Sequence, residues 1–118
     1  MMLPKTNEIW LVRFPFSDLT SSKLRPALII SVHREEVILV GIFSKIPEIA
    51  LQDTWVLVSE QNLNFQQTGL KKSSLIRTDK IATVSKELFV KQLGFIPVDL
   101  ISLVHSALKK SLNLSDTF

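Results

Sequence analysis

Two apolar runs separated by only three polar residues do most to limit what this chain can fold into. Residues 27–32 are apolar except for Ser31, His33-Arg34-Glu35 follow, and Glu36–Phe43 is apolar from Val37 onward and rich in β-branched side chains. Two such runs joined by a short polar turn predict a β-hairpin, and a strand that is apolar on both faces is typical of the centre of a sheet. We therefore expect a fold built around this hairpin.

Further strands are predicted from shorter runs of the same kind. They cover residues 8–14, 54–58, 75–84 and 90–96, the last interrupted by Gly94. Residues 59–72 are polar and predict a long loop with a turn at Thr68-Gly69, while residues 85–88 predict a turn or a single helical turn. The chain is thus expected to be mainly β.

The C-terminal region carries a helical pattern instead. Apolar side chains recur there at the spacing of one helix face, at Leu100, Leu103, Val104, Ala107 and Leu108. Pro97 suits the start of this helix, and acidic Asp99 and basic Lys109-Lys110 complement its positive and negative ends. We expect the helix to pack on the sheet, with an apolar stripe wide enough to join an oligomer interface.

Length and composition predict one domain over residues 1–118. A chain that is 46% hydrophobic and 21% charged does not belong to the disordered class. Its apolar stretches are too short to span a bilayer, its N-terminus has no apolar core of signal-peptide length, and it has no cysteine. We therefore expect a cytoplasmic protein. The net charge of +3 favours an anionic partner over a cationic one.

Arg25 is the first candidate for a functional residue. It follows the polar loop 17–23 and precedes Pro26, which favours an extended backbone at Arg25. A guanidinium group is planar, permanently charged and matched to phosphate oxygens. The residues alone leave open whether Arg25 binds a phosphate or forms a structural salt bridge at the surface.

Arg77 and Asp79 form a second candidate, within a predicted strand. Side chains at i and i+2 of a strand project from the same face, about 7 Å apart. The arginine could hold a phosphate while the carboxylate orients it or accepts a proton. A simple ion pair is the alternative.

Hydroxyl and basic side chains supply the remaining candidates. Ser44 follows the strand that should neighbour Arg25, and its hydroxyl could bond to a phosphate or a ribose, or cap the strand. Loop lysines could attract phosphates or be solvated surface charges, namely Lys23, Lys45, Lys71 and Lys72. Neither His33 nor His105 has a partner at metal-ligand spacing, and the sequence has no phosphate-binding glycine-rich loop. We expect no metal and no cofactor.

Several segments together resemble one known family. Residues 8–18, 23–31, 69–81 and 91–94 are similar to the MazF/PemK toxins of bacterial type II toxin–antitoxin systems. The similarity covers nearly the whole chain, and Arg-Pro-Ala-Leu at 25–28 is its most specific part. The resemblance implies a small SH3-like β-barrel with a C-terminal α-helix, a fold shared with gyrase-poisoning toxins of the CcdB type, and a homodimer.

The resemblance also implies an activity. Members of the family are commonly metal-independent, sequence-specific endoribonucleases that cut single-stranded RNA. The 2′-hydroxyl attacks the neighbouring phosphate and leaves a cyclic phosphate and a 5′-hydroxyl. A cognate antitoxin with an acidic, partly disordered tail is the implied protein partner.

Site residues carry over by position in this sequence. Arg25, Arg77 and Asp79 match the family's Arg-Pro arginine and Arg-x-Asp pair, and Ser44 stands where threonine is usual. The arginines would stabilise charge on the phosphorus, Asp79 would orient or accept a proton, and Ser44 would bond a phosphate oxygen. Contacts to RNA are expected from Ser17, Lys23, Lys45, Lys71 and Lys72.

One departure from the family pattern keeps alternatives open. Some PemK-type toxins carry a histidine in the first loop, and residues 15–23 contain none. Either Asp79 is the general base, or activity is reduced or absent. The alternatives are a gyrase-poisoning toxin that acts through residues 113–118, and a degenerate barrel that only binds its partner. Retention of Arg25, Arg77 and Asp79 favours the nuclease.

Overall fold

A computed structural model describes residues 3–14 and 23–115. Within this part of the chain, six antiparallel strands form one sheet in the order β4-β5-β3-β2-β1-β6, followed by a C-terminal helix. The elements are β1 Glu8–Phe14, β2 Lys23–His33, β3 Glu36–Phe43, β4 Trp55–Val58, β5 Ser74–Ser85, β6 Phe89–Phe95 and α1 Val98–Ser111. Two short 3-10 turns cover Phe65–Thr68 and Lys86–Leu88. The predicted mainly β fold with a C-terminal helix is confirmed.

The predicted central hairpin is present as β2 and β3, which lie in the middle of the sheet. Arg34 takes a positive φ of 53° in the tight turn between them. β2 begins four residues earlier than predicted, because its pairing with β1 continues outward through Pro26 opposite Leu11 and Lys23 opposite Phe14. Arg25 therefore lies inside a paired strand rather than at the end of a loop.

A bulge interrupts β5 in the middle of the sheet. Gly41 of β3 stands opposite Arg77, whereas its neighbour Val40 stands opposite Ile81. Thr78, Asp79 and Lys80 therefore face no residue of β3. A bulge bends its strand and re-aims the side chains within it, so this irregularity decides where Arg77 and Asp79 point.

Each face of the sheet covers its own apolar cluster, because successive side chains of a strand point to opposite faces. Ile9 of β1 belongs to a cluster that includes Val104 of α1, whereas the neighbouring Trp10 belongs to the other. The helix buries Leu100, Val104 and Ala107, as predicted. Leu103, on the same apolar stripe, is 53% exposed, and its expected place in an oligomer interface stays a prediction. The buried residues of α1 follow the i, i+4, i+7 spacing, so they form a narrower line than the apolar stripe seen in the sequence.

The long loop after β4 packs closely against β6 at two glycines. Gly69 has a φ of 72°, and a Cβ there would lie 2.0 Å from the Leu93 carbonyl oxygen. A Cβ on Gly94 would lie equally close, at 2.0 Å, to the carbonyl oxygen of Gln67. This close approach fixes the position of the residues that follow, Lys71 and Lys72.

The described residues include no helix of the length and apolar character needed to cross a membrane.

Candidate active site

Arg77 and Asp79 form a two-point ion pair on the bulge of β5. Nη2 of Arg77 donates to Oδ2 of Asp79 at 2.8 Å, and Nε donates to Oδ1 at 3.3 Å. The indole nitrogen of Trp55 on β4 donates a third hydrogen bond to Oδ1, at 3.0 Å. The predicted shared face of Arg77 and Asp79 is confirmed. The carboxylate leaves the outer edge of the guanidinium available to an anion.

Arg25 and Arg77 share one aromatic ring. The guanidinium carbon of Arg25 lies 5.0 Å from the ring centroid of Phe43, and that of Arg77 lies 5.6 Å from the same centroid. Arg77 is also 4.6 Å from the ring centroid of Trp55. Cation–π contacts of this length are favourable, and they leave the hydrogen-bond donors of both arginines unused by the ring.

The order of the strands brings these residues together. β3 lies between β2 and β5, so Phe43 projects between the arginine of one neighbour and the arginine of the other. Positions 25, 43 and 77 are distant in sequence but belong to three adjacent strands. Arg25 and Arg77 are both half-buried, and two cations beside one ring together attract an anion.

Two cavities adjoin this cluster. A cavity of about 420 Å³ is lined by Arg25 and by three of the other predicted cationic and hydroxyl residues, Ser44, Lys71 and Lys72, together with Lys91. A second cavity, of about 290 Å³, is lined by Arg77, Phe43, Trp55 and Lys45. Six of the predicted residues thus line one or the other of these two cavities. Asp79 is a seventh, held beside them by its bond to Arg77.

Two predicted RNA-binding residues are not placed in these cavities. Lys23 is exposed at the start of β2, opposite Phe14, and is not among the residues that line either cavity. Ser17 lies outside the described residues. The expected contribution of Ser17 stays a prediction.

Arg77 holds the pKa of the Asp79 carboxyl below its usual value of 3.8. Partial burial is the largest single effect and raises this pKa, but the hydrogen bond and charge of Arg77, the backbone amide of Asp79 and the Trp55 indole together outweigh it. Asp79 is therefore ionised at neutral pH. A carboxylate with a depressed pKa is a poor proton acceptor, so this geometry favours an orienting role over a general-base role.

The family model for PemK-like, MazF-like toxins of type II toxin–antitoxin systems matches residues 5–112. The chain belongs to this toxin family. The match includes β1 to β6 and α1, and with them every residue of the cluster around Phe43. No curated protein matches the chain significantly by sequence.

Solved structures of MazF toxins share the fold. The Mycobacterium tuberculosis toxin MazF-mt6 is 18% identical, with a TM-score of 0.70 over 92% of this chain and 98% of that one. MazF from Deinococcus radiodurans is 16% identical, with a TM-score of 0.73 over 97% of this chain and 100% of that one. A mycobacterial endoribonuclease solved with its cognate antitoxin is 19% identical, with a TM-score of 0.71 over 96% and 98%. The predicted MazF-like barrel is confirmed, here with the strands at its two edges, β4 and β6, not joined to each other.

Sequence reasoning missed the aromatic part of this cluster. Phe43 and Trp55 were expected only as members of strands, yet their rings contact the arginines. Lys91 on β6 lines the larger cavity and was also missed as a cation. The sequence did carry a weak signal for Phe43. This residue ends its predicted strand and directly precedes Ser44, which was already a candidate site residue. Trp55 gave no such signal, because its neighbour on β5 depends on strand register.

Proposed function

We propose that this chain is the toxin of a type II system and acts as a metal-independent, sequence-specific endoribonuclease on single-stranded RNA. The observation that carries the proposal is the pair of guanidinium groups on either side of Phe43, each opening into a cavity with further cations. Two fixed arginines can bind the non-bridging oxygens of one phosphodiester and stabilise the charge that builds up during its cleavage.

The proposed reaction is an intramolecular transesterification. The 2′-hydroxyl oxygen attacks the adjacent phosphorus, the bond from phosphorus to O5′ breaks, and a 2′,3′-cyclic phosphate and a 5′-hydroxyl are left. The 2′-hydroxyl gives its proton to water in the open cavity, and O5′ takes up a proton from water as it departs. Arg25 and Arg77 bind the phosphate oxygens, and Ser44 donates a hydrogen bond to one of them.

Asp79 has a positioning role in this proposal. Its carboxylate accepts two hydrogen bonds from Arg77 and one from Trp55, and it is ionised well below neutral pH. It therefore sets the orientation of the Arg77 guanidinium toward the phosphate. Lys45, Lys71 and Lys72 hold neighbouring phosphates, which adds affinity without base preference.

The test is cleavage of a long single-stranded RNA in EDTA, with the product ends mapped. We expect cuts at a short recurring sequence, with cyclic phosphate and 5′-hydroxyl ends, and losses of at least about a hundredfold in Arg25→Ala and Arg77→Ala. Lys86→Ala removes the same charge in the turn before β6 and should cut like the wild type. Folded wild-type protein that leaves the RNA intact would refute the proposal.

We further propose that a cognate antitoxin covers this site with an acidic segment, and that the toxin is a homodimer. Two solved relatives are complexes with antitoxins, the mycobacterial endoribonuclease and MazF from Deinococcus radiodurans with MazE. An acidic segment would complement Arg25, Lys71 and Lys72. Arg25→Ala should weaken antitoxin binding as well as cleavage, and light scattering of the purified toxin should give twice the monomer mass.

A further inference from the structure

Thr78 occupies an unusual place, between Arg77 and Asp79 in sequence but on the opposite side of the strand. Its two neighbours carry the ion pair at the surface, whereas its own side chain is 0% exposed. It lies on the bulge of β5, where no residue of β3 supports the backbone. Something else must hold this segment, because a strand without its ladder bonds is free to shift.

Three hydrogen bonds to residues outside β3 take the place of the missing ladder. The backbone N–H and the hydroxyl of Thr78 both donate to the carbonyl oxygen of Thr54, at 3.1 and 2.6 Å. Oγ1 of Thr78 also lies 2.7 Å from Oγ of Ser111, in the last turn of α1. The single hydroxyl proton of Thr78 goes to Thr54, so Ser111 is the donor in the second bond.

We propose that Thr78 and Ser111 are positioning residues, through which the last turn of α1 holds the Arg77–Asp79 pair in place. The chain of contacts runs from Ser111 to Thr78, and from there along the backbone to Arg77 and Asp79. Thr54 contributes from the other side, directly before Trp55, whose indole completes the contacts of Asp79. The effect on RNA cleavage rests on the proposed function, whereas the effect on the geometry does not.

The two tryptophans provide a direct readout of this geometry. The indole N–H of Trp55 donates to Asp79, and that of Trp10 donates to Oε1 of Glu8 at 2.9 Å. Each tryptophan has one indole N–H and so gives one indole resonance in a ¹⁵N-labelled sample. Only the resonance of Trp55 reports the position of the Asp79 carboxylate. A change in overall stability alone moves neither resonance in the folded state.

Thr78→Val is the decisive variant, with Thr68→Val as its matched control. Thr68 is also 0% exposed, and its hydroxyl likewise donates one hydrogen bond, to Phe65, and accepts one, from the Leu70 N–H. We expect Thr78→Val to shift the Trp55 indole resonance and leave Trp10 unchanged. Thr68→Val should leave both unchanged, and Thr78→Ser, which keeps the hydroxyl, should restore the wild-type spectrum.

Cleavage kinetics provide the second readout. Thr78→Val should lower kcat by about tenfold or more with little change in KM, because misplacing a charge-stabilising group affects the transition state more than binding. Ser111→Ala, at a half-buried position that disturbs the core less, should show a smaller loss in the same direction. If Thr78→Val will not fold, the Ser111→Ala spectrum decides the question by the same Trp55 criterion.

The outcomes separate this proposal from the proposed function. An unshifted Trp55 resonance in folded Thr78→Val, or an equal shift in Thr68→Val, would overturn the positioning role. A shifted resonance in a protein that cuts no RNA would keep the positioning role and refute the nuclease.

Discussion

The ring of Phe43 folds back over the backbone of Gly41, so closely that a Cβ atom on Gly41 would lie 2.7 Å from Cε1 of the ring. Gly41 stands opposite Ala27 of β2 on one side and Arg77 of β5 on the other. The missing side chain at Gly41 therefore gives the ring its place between the two arginines. The nearest atom that is not part of Phe43 is Cβ of Lys80, at 3.8 Å.

We predict that Gly41→Ala folds but binds RNA more weakly. The ring is the end of a side chain that can rotate away, so the sheet survives, while both arginines lose their contact with Phe43 and Arg77 keeps its contact with Trp55. Cation–π contacts contribute about 0.5–1 kcal/mol each at exposed sites, and two of them correspond to a loss of roughly tenfold in affinity. The measurement is fluorescence anisotropy with an RNA whose cleaved nucleotide is 2′-deoxy.

Phe43→Leu should show the same loss, and Phe89→Leu is the matched control. Phe89 packs edge-on against Trp10 at 5.8 Å and lines neither of the two cavities beside the arginines. Its replacement should lower stability without changing affinity for RNA. Wild-type affinity in Gly41→Ala would show that the ring does not hold the arginines in place.

We predict a pH-dependent contribution of Asp79 to stability. Because its folded-state pKa is depressed, the ionised carboxylate stabilises the fold above its usual pKa of 3.8, and this stabilisation is lost as the pH falls through the lower folded-state value. Urea unfolding should show Asp79→Asn less stable than the wild type at neutral pH, with a difference that narrows in acid. Asp53→Asn is the control, since Asp53 makes only an exposed 3.9 Å contact with Lys110. A difference that stays constant with pH would contradict the prediction.

We predict that Lys71 and Lys72 bind phosphates and not bases. Both are exposed, and both line the larger cavity with Arg25. Each alanine variant should lower affinity for every RNA sequence and reduce the slope of log affinity against log salt by about 0.7 for each lost phosphate contact. The mapped cut sites should stay the same, and Lys86→Ala should leave the slope unchanged. A changed cut site would assign these lysines to base recognition instead.

The strands could be predicted where the apolar pattern alone decides them. Glu8–Phe14 and Glu36–Phe43 have the predicted bounds, because Thr6-Asn7 and Pro15 flank the first in sequence and polar residues flank the second on both sides. The start of β2 was not predictable in this way, since Lys23 and Arg25 are polar and Pro26 lacks an N–H group. Its position follows from pairing with β1, a contact between residues far apart in sequence.

The same distinction applies to the site. The Arg77–Asp79 pair is separated by two positions of a strand, so its shared face could be predicted locally. The contact of Phe43 with both arginines requires knowing the strand order and the bulge opposite Val40 and Gly41. A short window of sequence shows neither the strand order nor the bulge. The contacts of Phe43 and Trp55 with the arginines could therefore not be predicted from the sequence.

The hydrogen bond from Ser111 to Thr78 has a consequence for how the protein is synthesised. Arg25 is synthesised well before Arg77. The hydrogen bond that holds Thr78, between Arg77 and Asp79, comes from Ser111 at the end of α1 and is available later still. A nascent chain still short of Ser111 therefore carries the cluster without its final support. The Arg77–Asp79 segment can gain this hydrogen bond only after the last turn of α1 has been synthesised and has folded.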